Sequence, residues 1–258
     1  NTGSIEVGFG CGADCSTLNS YIGGLAGFAS QIENSYNSGN LFAVDLHNVG
    51  SIYYPVGGLV GDIIGEEGNY HTVIVNSYYN YEEVFLNDEQ NILTAGALDN
   101  STYTIWLNND LQLDINDYLT YSGGNYLINS VFDLEKLLAF GQFSQYCYLL
   151  TTDLDLTEKP GFHIPYLLGD FNGNNHEIGN LKLNVNYAQY AGLFGYTNGI
   201  TINDLGVTDV DISGIIANTG GVAGFSYQSE LHNCYSTGNI DVNGRAGGLV
   251  GSNHNSIL

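Results

Sequence analysis

Short apolar stretches alternate with glycine and asparagine along most of the chain, as in Ile240-Asp241-Val242. Such stretches have the length of β-strands, and Gly and Asn tolerate the positive φ that tight corners require. The spacing leaves no room for a crossover helix between one strand and the next. The pattern therefore predicts an all-β fold of short strands joined through corners.

One pentapeptide recurs five times and defines an internal repeat. Its copies are GGLAG at 23–27, GGLVG at 57–61, AGLFG at 191–195, GGVAG at 220–224 and GGLVG at 247–251. A second motif follows at a near-fixed offset, as NSYNSG at 34–39, NSYYN at 76–80 and NCYSTG at 233–238, with a looser copy at 203–206. Units this short must stack to bury an apolar face, which predicts right-handed parallel β-helix (solenoid) segments. A β-sandwich with Gly-rich turns is the alternative.

The pentapeptide glycines are expected to be structural. A strand packed closely against its neighbours leaves space only for glycine at its flanks. The glycines are Gly24, Gly27, Gly58, Gly61, Gly192, Gly195, Gly221, Gly224, Gly248 and Gly251. Tyr36, Tyr78 and Tyr235 share one repeat position, so stacked repeats would bring them into line, with a buried or half-buried stack favoured over a carbohydrate-binding face.

At these motifs the sequence resembles the GLUG-motif repeat family, whose units run as Gly-Gly-Leu-Val-Gly followed by Asn-Cys-Tyr-Ser-Thr-Gly. The segment FNGNNHEIGNL at 171–181 is similar to a turn near the start of such domains. The resemblance covers roughly residues 1–81 and 128–258. It implies a surface-exposed β-helix of the kind found in large adhesin-like proteins, and hence an extracellular or cell-surface location.

The order of the repeats predicts three parts. Residues 1–81 are expected to be the C-terminal rungs of one β-helix, and 82–127 a small β-rich connector or cap. Residues 128–258 are expected to hold a capping helix over 131–138, a first strand and the N-terminal rungs of a second β-helix.

The two ends of the sequence fit each other in register. Residues 1–7, NTGSIEV, match residues 236–242, STGNIDV. Two hypotheses follow: the chain is one period of a longer tandem array, or copies join end to end, rung upon rung, into a filament. The expected unit-to-unit contacts are Asn1, Ile5, Ile257 and Leu258.

The charge balance excludes several partners. Twenty-seven acidic residues and four basic ones give a net charge of -23, which disfavours nucleic acid and anionic membrane surfaces. No stretch approaches the 18 or so apolar residues of a membrane span, so membrane insertion is not expected.

Candidate chemistry is sparse. Cys11 and Cys15 are close enough in sequence to close a small disulfide loop, whereas Cys147 and Cys234 are expected to be buried or free thiols. The six histidines lack zinc spacing. Calcium is an alternative at Asp110, Asp114, Asn116 and Asp117, although a solvated acidic turn is favoured there. No cofactor is required.

Enzymatic function is not expected. Glycan hydrolysis needs a close carboxylate pair, and no such pair recurs at matching positions of successive repeats. His176 is expected to form a hydrogen bond at a corner. The leading hypothesis is a structural or adhesive component of an extracellular filament or tandem β-helix array. A non-polymerising carbohydrate-binding or cell-adhesion module is second, and a polysaccharide-active enzyme is third.

Overall fold

The computed structural model describes residues 5–9, 22–26, 29–45, 56–61, 72–86 and 91–258. The chain divides into an N-terminal unit, Asn1–Gln112, and a C-terminal unit, Leu113–Leu258. The boundary between them falls inside the predicted connector. The finer division into three parts stays a prediction.

Parallel pairing between copies of the repeat organises the N-terminal unit. Gly23 pairs with Gly57, and Tyr36 pairs with Tyr78. The ladders are β1–β5, β2–β6, β3–β7 and β4–β8–β9. The strands are β1 (Ile5–Phe9), β2 (Ile22–Gly23), β3 (Gln31–Glu33), β4 (Tyr36–Asn37), β5 (Leu41–Asp45), β6 (Val56–Gly57), β7 (Val73–Val75), β8 (Tyr78–Asn80) and β9 (Ala97–Leu98).

A nine-residue helix, α1 (Asn100–Asn108), stands where the sequence predicted a β-rich connector. Asp99 caps it by accepting a hydrogen bond from the Thr102 amide at 3.0 Å. Trp106 is fully buried and meets the Tyr78 ring edge-on at 4.9 Å. The prediction of a β-rich connector is wrong over these residues, because capping and the burial of Trp106 outweigh the weak helix propensity of the segment.

The C-terminal unit begins with short helices and short strands in alternation and continues as strands from Cys147. The helices are a 3-10 turn (Ile115–Asp117), α2 (Val131–Glu135) and α3 (Leu137–Phe140). The predicted capping helix over 131–138 is thus present as two short helices. The strands are β10 (Tyr121–Ser122), β11 (Asn125–Ile128), β12 (Cys147–Leu150), β13 (Leu154–Asp155), β14 (Ile164–Leu167), β15 (Asp170–Gly179), β16 (Lys182–Ala191), β17 (Phe194–Asn198), β18 (Thr201–Gly220), β19 (Ala223–Tyr227), β20 (Glu230–His232), β21 (Tyr235–Val242), β22 (Arg245–Gly247) and β23 (Val250–His254).

Two sheets in the C-terminal unit take strands from each successive repeat. One contains β15, β18 and β21 in parallel, with β16 and β22 also paired to β18. The other runs β14–β17–β19–β23, all in parallel. Aliphatic side chains align across the first sheet, where Leu183, Ile212 and Ile240 are in register. Leu183 and Ile212 are fully buried, and this row forms part of the core.

The all-β prediction is confirmed in its coarser form. Strands dominate the described residues and are arranged in several sheets, nearly all with parallel neighbours. Within that part of the chain, no helix has the length and apolar character needed to cross a bilayer.

His163 is buried just before β14. Burial lowers the pKa of its imidazole to about 4, and a hydrogen bond with the Gly161 backbone opposes this shift only partly. The folded protein therefore keeps His163 neutral at pH values where an unfolded histidine would already be protonated.

Acidification is expected to destabilise the C-terminal unit through this residue. Below pH 6.5 the unfolded chain binds a proton at His163 that the folded chain does not bind until about pH 4. The free energy of unfolding therefore falls as the pH drops from 6.5 to 4, by about 3 kcal/mol in all, and His163 causes no further change below pH 4. Denaturant unfolding from pH 7 to pH 4 measures the loss.

The matched variant is His163→Gln, which should show a shallower pH dependence than the parent. Carboxylates titrate in the same window in both proteins, so only the difference between the two curves is informative. Identical curves for His163→Gln and the parent would contradict the prediction.

Candidate functional site

The second glycine of the pentapeptide lies directly beneath a side chain from the second motif. The covering residue is the one that follows the motif tyrosine. The three pairs are Gly24 with Asn37, Gly58 with Tyr79 and Gly221 with Ser236. A Cβ on any of these glycines would lie only 1.9 to 2.3 Å from the covering side chain. We call the space above the second glycine the glycine seat. The side chain that fills it packs the second motif against the pentapeptide.

Covering side chains also satisfy neighbouring backbone groups. Asn37 donates from Nδ2 to the Gly58 carbonyl at 3.0 Å. The Tyr79 hydroxyl donates to the Ile92 carbonyl at 2.8 Å and accepts from the Thr94 amide at 2.8 Å. Burial raises the pKa of Tyr79, so the hydroxyl stays protonated. The seat thus holds both a steric fit and a hydrogen-bond network.

Other pentapeptide glycines permit backbones to approach closely. A Cβ on Gly195 would lie 2.7 Å from the Pro165 carbonyl oxygen, and one on Gly251 would lie 2.3 Å from the Thr219 nitrogen. Gly192 and Gly224 are similarly enclosed by backbone atoms at 2.5 and 2.7 Å. Gly61 is buried, and the predicted Gly27 lies outside the described residues.

The asparagine that opens the second motif forms a corner. Asn34, Asn76 and Asn233 have φ of 47°, 45° and 53°, as does the aligned Asp204 at 51°. Nδ2 of Asn76 donates to Oδ1 of Asn34 at 2.8 Å, and Nδ2 of Asn233 donates to Oδ1 of Asp204 at 2.9 Å. Sequence reasoning assigned Gly and Asn to tight corners in general, but it did not identify the hydrogen bonds that join the corner side chains of successive repeats.

The motif tyrosines align in one unit and not in the other. Tyr36 and Tyr78 are register partners, as predicted. Tyr235 instead pairs with Gly206. Cζ of the Tyr235 ring lies only 2.6 Å from the position that a Cβ on Gly206 would take. Its hydroxyl donates to the Glu177 carboxylate, which raises the pKa of Tyr235. Tyr235 keeps 46% of its surface exposed.

His176 forms a hydrogen bond at a corner. Its Nδ1 lies 2.9 Å from Oδ1 of Asp153, an oxygen that also accepts from the Glu177 amide at 3.0 Å. The amide first, and then the imidazole, lower the pKa of Asp153. Asp153 is therefore an ionised hydrogen-bond acceptor. A general acid needs a raised pKa, and the pKa of Asp153 is lowered.

The predicted calcium residues are divided between the two units, with Asp110 in the N-terminal unit and Asp114, Asn116 and Asp117 in the C-terminal unit. Oδ1 of Asp114 accepts from both the amide and Nδ2 of Asn116, which lowers the pKa of Asp114. Asp117 lies in the 3-10 turn, and Asp110 occupies a left-handed turn in the N-terminal unit. Within the described ranges, no group of three or more His, Cys, Asp or Glu side chains is arranged to hold a metal ion.

The cysteines of the described chain are free thiols. Cys147 and Cys234 are half-buried, and burial raises the pKa of both. Cys234 occupies the motif position held by Ser35 and Ser77 in the N-terminal unit. The predicted pair Cys11 and Cys15 lies outside the described residues.

The surroundings of Gly248 differ from those of the equivalent Gly221. Among the residues that the structure describes, no atom lies within 4 Å of the position that a Cβ on Gly248 would take. A groove of about 220 Å³ lies here, lined by Val210, Ser236, Thr237, Gly238, Ile240, Ala246, Gly247 and Gly248. Ile240 is only half-buried, whereas its register partner Ile212 is fully buried.

Four residues were predicted to form contacts between successive copies or periods of the chain. Ile257 and Leu258 are 55% and 57% exposed, and the Ile257 backbone bonds to the strand at Glu230 through Ser229 and Leu231. Ile5 lies in β1, opposite Leu41. Asn1 lies outside the described residues.

Comparison with known families finds the GLUG motif at residues 217–241. This segment contains the pentapeptide at 220–224, the corner at Asn233 and the covering residue Ser236. No curated protein and no solved structure matches the chain. The match supports the GLUG-motif assignment that the motifs predicted.

Replacing Asn233 tests the corner. Asn233→Ala is expected to lower the free energy of unfolding by about 1 to 2 kcal/mol, because alanine pays the full cost of a left-handed backbone. Asn233→Gly should cost less, since glycine adopts that conformation freely and loses only the bond to Asp204. Denaturant unfolding measures both.

The matched control is Asn239→Ala, an exposed strand position with no left-handed backbone. It should leave stability nearly unchanged. Equal losses for Asn233→Ala and Asn233→Gly would show that the corner conformation contributes nothing.

Proposed function

We propose that this GLUG-motif chain is a structural or adhesive element of an extracellular or cell-surface array built from right-handed parallel β-helices. The observation that carries the proposal is the parallel register between successive copies of the repeat, as in Gly23 with Gly57 and Gly220 with Gly247. Within three of the repeats, a side chain of the second motif fills the glycine seat of the pentapeptide that precedes it. Repeats that pair in parallel in this way favour linear stacking.

Strand pairing supports the β-helical arrangement. Successive repeats give one strand to the sheet of β15, β18 and β21 and another to the sheet of β17, β19 and β23, always in parallel. Parallel neighbours require the chain to return to the same end before each new strand. Such returns are right-handed in nearly all known cases, which favours a right-handed β-helix.

A non-catalytic role fits the polar groups of the ladders. Nζ of Lys182 lies 3.7 Å from Oδ2 of Asp211. Asp153 forms hydrogen bonds with His176 and with the Glu177 amide. These carboxylates serve to hold neighbouring repeats in place. The high negative charge keeps single chains soluble and opposes nonspecific association with nucleic acid.

Glycan recognition is a second candidate, supported by Tyr235. Its half-exposed ring is held over Gly206 by the bond from its hydroxyl to Glu177. A fixed aromatic face beside a carboxylate is suited to stacking against a neutral sugar. Glycan binding by a monodisperse monomer would favour this candidate over the array.

Electron microscopy of material from the native source tests the array, with the intact mass of the dissociated chain measured in parallel. We expect fibres or extended arrays with an axial repeat of one unit. The mass then separates a covalent tandem chain from copies joined without a covalent bond. Dispersed globular monomers of this size would overturn the proposal.

A further inference from the structure

We infer that residues 84–86 and 91–108 form a cap, which ends the ladder of the N-terminal unit and keeps its edge from pairing with further strands. Neither repeat motif occurs in these residues. The cap nevertheless takes up the hydrogen-bonding groups that one repeat offers to the next. This inference goes beyond the proposed function and does not depend on it.

The amide of the second pentapeptide glycine is the first of these groups. Between successive repeats this amide donates to a pentapeptide carbonyl, as from Gly221 to Gly248 at 3.0 Å. At Gly58 the amide donates instead to the hydroxyl oxygen of Thr94 at 2.9 Å. A side chain of the cap thus replaces the backbone of a further repeat.

The corner asparagine carries the second group. Nδ2 of Asn76 donates to Oδ1 of Asn34 in the preceding repeat, and a following repeat would bond to Oδ1 of Asn76 in the same way. Nε1 of Trp106 donates to that oxygen at 2.9 Å. Trp106 is also fully buried against Tyr78. The helix α1 therefore occupies the acceptor that a further repeat would need.

Short backbone segments of the cap cover strand edges of the last repeat. The Tyr79 amide donates to the Gly96 carbonyl at 2.9 Å, and the Leu41 amide donates to the Phe85 carbonyl at 2.9 Å. Gly96 has a left-handed backbone with φ of 81° and directly precedes β9, which has only two residues. A strand this short and interrupted is a poor template for another strand.

Apolar side chains of the cap complete the core of the unit. Leu86, Leu98 and Trp106 are all buried. Loss of the cap would therefore uncover apolar surface and unpaired backbone amides together. An edge of that kind pairs readily with other chains, which is why the ends of stacked repeats need caps.

Amide hydrogen exchange in the 258-residue chain tests the cap. The double variant Thr94→Val/Trp106→Phe keeps a branched side chain and an aromatic ring, but it removes the acceptor for Gly58 and the donor to Asn76. Each single variant is measured as well and should show the same pattern with a smaller change. The matched controls are Thr94→Ser, which keeps the hydroxyl, and Ile105→Ala, at a half-exposed position of α1.

Two sets of amides report on the variants. The first set donates to the cap and should exchange about tenfold faster in the double variant. Its members are Gly58, Tyr79 and Tyr81. The second set donates to carbonyls of the preceding repeat and should keep the exchange rate of the parent. Its members are Val73 and Tyr78, whose acceptors are Ser30 and Ser35.

The comparison between the two sets decides the outcome. Equal acceleration of both sets would overturn the inference, because the segment would then be an integral rung and not a cap. Unchanged exchange in both sets would also overturn it, because the bonds from Thr94 and Trp106 would then not hold the cap in place. The two control variants should exchange like the parent in both sets.

Sedimentation velocity at high salt tests whether the cap keeps the edge from pairing. Salt screens the repulsion between copies, each of which carries a net charge of -23. At equal protein concentration, the double variant should have a larger weight-average mass than the parent and the two controls. A double variant with fast exchange at the cap and the mass of the parent would overturn this role. Neither result depends on whether native material forms an array.

Discussion

Close packing between a pentapeptide glycine and a side chain of the second motif in the same repeat holds the two motifs together at Gly24, Gly58 and Gly221. The covering side chain already fills the space that a methyl group would need. At Gly221 the Ser236 hydroxyl lies 1.9 Å from the position that a Cβ would take. Any larger residue there would collide with Ser236 in β21, so the backbone at one of the two positions would have to move.

Left-handed corners keep that contact in register. Asn233 turns the chain within a single residue, so the tyrosine and the covering residue return directly above the previous repeat. In the N-terminal unit the equivalent Asn76 also accepts a hydrogen bond from the Trp106 indole at 2.9 Å. The helix α1 is thus anchored to the ladder through a residue of the repeat itself.

Sequence reasoning found the repeat, and with it the parallel partners and the close glycine packing, because both recur at a fixed offset. It also found the helical segment from Val131, whose apolar spacing is local. It missed α1, since Thr102, Ile105 and Trp106 favour strands locally and the helix depends on a long-range contact with Tyr78. The side chain that covers each seat depends on three-dimensional register, which spacing alone did not reveal.

Acidic residues were harder to interpret for a related reason. Asp114 and Asp153 were visible as carboxylates, but their partners are backbone amides whose direction only the fold determines. The same distinction governs the stacking of rungs within the chain. Burying an isoleucine as completely as Ile212 contributes about 1.5 to 3 kcal/mol, whereas an exposed pair of like charges opposes it by about 0.2 to 1 kcal/mol. Apolar burial therefore outweighs local repulsion between neighbouring rungs of the described chain.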